Sequence, residues 1–73
     1  MATTRERQKF SGSSWVSSAF YDPELKIIEV VFHDGVRWNF YRCEPSTWRH
    51  FKKARSTGQF VREILERHPN SHA

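Results

Sequence analysis

Six cationic side chains, Arg37, Arg42, Arg49, Lys52, Lys53 and Arg55, fall within 19 consecutive positions that hold one acidic residue, Glu44. Arginine and lysine at that density are what neutralising a run of phosphates requires. Tyr41 lies in the same stretch and supplies a flat ring of the kind that stacks on a base beside positive charge. The cations also have a plainer role, because Lys52, Lys53 and Arg55 near a helix C-terminus would complement its dipole. The segment therefore leaves two readings open, a phosphate-binding surface and a solvated basic helix face. Arg5, Arg7 and Lys9 would extend the first of these.

Other chemistry finds less support. His33, His50, His68, His72 and Cys43 show none of the close paired spacings that zinc sites use, so no metal is expected. A Cys43–His50 nucleophile would need a third orienting group, and Cys43 is expected instead to fill an apolar position at a strand end. Asp22, Glu24, Glu29 and Asp34 fall around turns and one strand, where solvated charge is the expected role and no acid–base pair is visible. The three glycines are isolated, so there is no phosphate-cradling loop. No catalytic residue and no cofactor are expected, and the chain reads as a binding module rather than an enzyme.

At 73 residues the chain supports one small core. Aromatic residues make up 15% of it, so much of the buried area must come from a few rings. With a single cysteine an internal disulfide is impossible, which points to a reducing, cytoplasmic setting. The first nine residues carry charge where a signal peptide would be apolar, and no segment approaches the roughly 20 apolar residues of a membrane span.

The positions that must hold this basic stretch follow from periodicity. Residues 1–12 have neither hydrophobic period and are expected to form a flexible basic arm. Residues 13–21 favour aromatic and β-branched types and end at Asp22-Pro23, giving a first strand and a turn. Residues 26–33 alternate Ile28, Val30 and Phe32 with Ile27, Glu29 and Val31, a second strand whose outer face is half apolar. Asp34-Gly35 is a hairpin signal, and Val36, Trp38 and Phe40 then alternate with Arg37, Asn39 and Tyr41 in a third strand. Pro45 suits the first position of a helix with Trp48, Phe51 and Ala54 along one stripe. Ser56 and Gln59 fit a reciprocal capping box before a second helix that carries Phe60, Val61, Ile64 and Leu65 and stops at Pro69. Residues 69–73 are expected to be a disordered tail.

In that order, Ser13-Ser14, Tyr21-Asp22-Pro23, Glu29-Val30-Val31-Phe32, Trp38-Asn39-Phe40 and Gly58-Gln59-Phe60 make residues 13–68 resemble the KTSC family. That short domain is named for the C-terminus of some lysyl-tRNA synthetases and also stands alone in bacteria and phages. Trp38 and Phe40 replace a Tyr-x-Tyr usual in the family, and Pro45 is displaced by one position from the usual Val-Pro. The resemblance implies a domain in the cytoplasm of a bacterial or phage-infected cell, with an RNA-like partner.

The expected fold is α+β, a three-stranded antiparallel meander followed by two α-helices packed on one sheet face. Trp38 and Phe40 are assigned to the core on that logic, and Tyr41 to the opposite face. The expected function is RNA or other nucleic-acid binding through Arg37, Tyr41, Arg42, Arg49, Lys52, Lys53 and Arg55. The rival is a protein-interaction module that docks on an acidic protein or forms a homodimer through Ile27, Val31 and a sheet edge.

Overall fold

Side-chain-capped turns set the order of the central strands. In the computed structural model, which describes residues 5–73, the Asp22 carboxylate accepts from the backbone N–H of Glu24 and of Leu25, each at 3.0 Å. That turn joins β2 (Val16–Asp22) to β3 (Ile27–Phe32). Asp34 does the same for the N–H of Val36 at 3.0 Å, and Gly35 sits at φ +90°, a left-handed conformation a side chain would strain. The second hairpin leads into β4 (Arg37–Phe40), so both predicted turns form where expected.

The sheet has five antiparallel strands in the order β1-β2-β3-β4-β5, not the three expected from sequence. The added pair, β1 (Glu6–Lys9) and β5 (Asn70–His72), lies in the segments read as arm and tail. Residues 1–4 of that arm fall outside the described residues. Neither added strand has an apolar period, because each is an edge strand fixed by backbone pairing. Tyr41 N–H donates to the Pro69 carbonyl at 2.8 Å and Ala73 N–H to the Arg37 carbonyl at 3.1 Å, which clamps β5 at both ends. At the other edge, Phe10 lies against the Phe51 ring at 5.1 Å and Glu6 accepts from the Trp48 indole.

One face of the sheet is the core. Val16, Ala19, Tyr21, Ile28, Val30, Phe32 and Phe40 are buried on it, opposite Trp48, Phe51, Val61 and Leu65 from the helical segments. A bulge between Val16 and Ser18 keeps Val16 and Ala19 inward although they are three apart. Complete burial of one such side chain contributes about 1.5–3 kcal/mol, so this face dominates stability. Tyr21 is amphipathic: it stacks on Trp48 at 5.4 Å and its hydroxyl donates to the Cys43 carbonyl at 2.8 Å.

Helix α1 (Pro45–Lys53) begins with Pro45 at its first turn, as expected. Helix α2 (Thr57–Glu63) is capped by Ser56, whose hydroxyl accepts from Gln59 N–H at 3.2 Å. The reciprocal half of the expected capping box is absent, since the Gln59 amide donates forward to Glu63 at 3.3 Å. The helix ends at Glu63 rather than at Pro69, because the chain tightens into a 3₁₀ turn over Leu65–Arg67. That tightening turns Leu65 into the core and leaves Ile64, expected in the core, exposed. Val36, also expected inward, is exposed because it belongs to the turn before β4.

Candidate nucleic-acid interface

Both helices pack on the core face, so among the described residues the outer sheet face carries no helix. The strand register fixes what lies there. Arg7 pairs with Phe20, Phe20 with Glu29, Glu29 with Asn39 and Asn39 with Ser71, which forms one row across all five strands. A second row runs Lys9, Ser18, Val31, Arg37, with a cation at each end and no acid. Phe20 is the central ring of this face, half-buried, with the Arg5 guanidinium 5.0 Å and the Arg7 guanidinium 5.9 Å from its centroid. Arg5 also pairs with Glu29 at 3.1 Å. Such arginines shield the ring by cation–π contact rather than by burial, an arrangement that a stacking base can replace.

The predicted basic residues do not form one patch. Arg37 and Tyr41 belong to the open face, where the Tyr41 hydroxyl is 2.6 Å from Ser71 Oγ and the ring is half-buried. Arg42 is exposed in the connection to α1 at φ +58°. Arg49 and Lys53 are exposed one turn apart on α1, and Arg55 is exposed in the connection just beyond it, all on the far side of the sheet from the open face. Lys52 is structural: its ammonium bonds Glu6 at 2.7 Å and lies 5.6 Å from the Trp48 ring centre. The Lys52 ammonium, and after it the Trp48 indole N–H, holds the Glu6 carboxyl below its ordinary value.

Arg5, Arg7 and Lys9, expected in a flexible arm, build the open face together with Phe20. A signal was present. Arg5, Arg7 and Lys9 alternate with Glu6 and Gln8, a period-2 pattern written in charge rather than hydropathy. Trp15 packs on Phe32 at 4.7 Å and against Gly58, where an added Cβ would come within 3.2 Å of the indole. A side chain at Gly58 would make the Trp15 indole give by a few tenths of an ångström, and that indole borders several concave regions of the surface.

Cys43 is fully buried, and burial pushes its thiol up to about 11, so it is protonated at neutral pH. Its Sγ donates to the carbonyls of Phe40 at 3.4 Å and Tyr41 at 3.6 Å. Among the described residues no three histidine, cysteine or carboxylate side chains gather as metal ligands, and no helix is long and apolar enough to cross a membrane.

The KTSC domain profile matches residues 12–68. Among solved structures, the crystal structure of a KTSC domain protein from Yersinia pestis superposes with a TM-score of 0.86 at 22% identity, covering 96% of this chain and 99% of that one. No curated protein matches the sequence.

Proposed function

The chain belongs to the KTSC domain family, and we propose that it is a non-enzymatic module that binds single-stranded RNA on the open face of its sheet. The observation that carries this reading is Phe20 under Arg5 and Arg7, with Lys9 and Arg37 flanking the next row. Rings on a sheet with helices behind it offer stacking, worth about 1–3 kcal/mol per base, and the flanking cations offer phosphate neutralisation. Tyr41 lies on the same face beside Ser71 and extends the platform. Arg49, Lys53 and Arg55 on the opposite side steer a polyanion toward the molecule without contacting the same strand.

The test is anisotropy of labelled single-stranded RNA. Three to four phosphate contacts predict that affinity falls about twenty- to fifty-fold between roughly 50 and 200 mM salt. The triple variant Arg5→Ala, Arg7→Ala, Arg37→Ala should abolish saturable binding, whereas Arg49→Ala with Lys53→Ala should weaken it only modestly. Loss confined to the second variant would move the site to α1. Absence of binding by the native protein at the lower salt would end the RNA reading.

One observation favours a second reading. Phe20, Ile27 and Val31 are half-buried apolar side chains on an uncovered face, and β1 and β5 each present a free edge. A second copy or an acidic protein would bury them. Sedimentation showing a concentration-dependent dimer that Ile27→Asp dissociates would establish this in place of RNA binding.

A further inference from the structure

A separate cavity lies on the helix side of the sheet, where α2 and the 3₁₀ turn leave the ends of β3, β4 and β5. Its volume of about 330 Å³ falls at the small end of ligand sites. Four of its walls are aromatic: Trp15, Phe32, Trp38 and Phe40. The sole charged side chain lining it is Glu66.

The polar atoms of this cavity are unequally occupied. The Trp38 indole N–H donates to Asn70 Oδ1 at 2.8 Å, and the Asn70 amide donates in turn to the His68 carbonyl at 2.8 Å. Those bonds lock the Trp38 ring in the wall. Glu66, by contrast, has neither a hydrogen bond nor an ion pair among the described residues. In a chain of net charge +4 every other described acidic side chain has an interaction partner. Trp15 is 37% exposed, with the Arg62 guanidinium 5.6 Å from its ring centre, and Trp38 is half-buried, so an entering cation would displace Arg62 from the Trp15 ring.

Several aromatic side chains around one unneutralised carboxylate are the composition that attracts an alkylated ammonium ion. The rings draw its diffuse charge and shed water from its methyl groups, and the carboxylate supplies the counter-charge. An anionic ligand would be repelled by Glu66. We propose that this cavity is a binding site for a quaternary ammonium group, at residues distinct from those of the RNA reading and independent of it.

The experiment is a titration of the intact chain with choline at constant ionic strength, followed by the indole N–H resonances of Trp15, Trp38 and Trp48. The uncharged carbon isostere 3,3-dimethylbutan-1-ol serves as comparison. Saturable shifts of Trp15 and Trp38, with Trp48 unmoved, and about tenfold weaker binding of the isostere are expected. Glu66→Gln, an exposed conservative change, should weaken choline about three- to tenfold and leave the isostere unchanged. N-acetyl-trimethyllysine amide run alongside tells the sources apart. Tighter binding of it than of choline assigns the site to a modified protein side chain, and weaker binding assigns it to a free small cation. Equal binding of choline and its isostere, or an unchanged response in Glu66→Gln, would reduce the site to an apolar cleft and overturn the proposal. So would the lack of any saturable shift.

Discussion

The two faces of the sheet solve the same problem by different means. On the inner face, Ile28, Val30 and Phe40 are removed from water by helices, and the ring of Tyr21 is stacked on Trp48 with its hydroxyl bonded at 2.8 Å. On the outer face, Phe20 is shielded by two guanidinium groups that can leave. Burial against a packed layer is worth kilocalories per side chain, whereas an exposed cation–π contact contributes about 0.5–1 kcal/mol. The inner face therefore holds the fold, and the outer face is left free to exchange its contacts for those of a partner.

The largest expected difference comes from truncating one ring on each face. Phe51 is completely buried among Phe10, Trp48 and Phe60, so Phe51→Ala should cost about 3–5 kcal/mol. A domain of this size holds only about 4–11 kcal/mol in total, so that variant will be close to unfolding, and Phe51→Leu at about 1–2 kcal/mol gives the measurable value. Phe20→Ala should cost about 1 kcal/mol or less. Urea midpoints compared at equal slope decide the matter. If Phe20→Ala destabilised as much as Phe51→Leu, the outer face would be part of the core and the comparison would fail.

Next in size is Tyr21→Phe, which keeps the stack on Trp48 and removes only the hydroxyl. The Cys43 carbonyl then loses a buried donor, for an expected cost of about 1–2 kcal/mol in the urea midpoint. Burial raises the Tyr21 phenol above its ordinary value, as do the nearby Cys43, Glu44 and Asp22. The group must therefore stay neutral until well into the alkaline range. A folded-state pKa raised above the unfolded value contributes stability that is present below the unfolded pKa and lost as pH rises through the folded one. Native protein should accordingly become less stable as pH climbs past about 10, in addition to the loss from the buried Cys43 thiol that begins near 9, and Tyr21→Phe should remove only the phenol's share of that decline. An unchanged alkaline slope in the variant would place the loss elsewhere.

The same contrast explains what was legible from sequence. Hydropathy with period 2 marked β3 and β4, and Asp-Pro and Asp-Gly marked their turns, because those elements owe their position to burial and local turn chemistry. β1 and β5 owe theirs to backbone pairing and to charge, so hydropathy could not announce them. Of the candidate site, Arg37 and Tyr41 were placed correctly on the open face by strand alternation alone. Lys52 was not readable as structural, because its partner Glu6 lies 46 positions away on a strand with no apolar signature. Density of positive charge along the chain says nothing about which side of a sheet each cation reaches, and here the cations are divided between both.

The smallest effect concerns the strap between those regions, where Glu6 on β1 reaches round to Lys52 and Trp48 on α1. The Glu6 carboxyl sits below its ordinary value, so the stability it contributes is present above the unfolded pKa near 4.5 and disappears as pH falls through the lower folded value. Half of the Glu6 side chain is exposed, so solvent screening leaves well under about 1 kcal/mol. Thermal midpoints measured from neutral pH down to about 3 should therefore show a small acid-side decline from this group that Glu6→Gln removes. The same variant should leave the open face intact and RNA affinity within about twofold of native, because Glu6 points to the helix side. A large loss of RNA binding in Glu6→Gln would mean that β1 does not hold its register without the strap, and that the inner face fixes the geometry of the outer one.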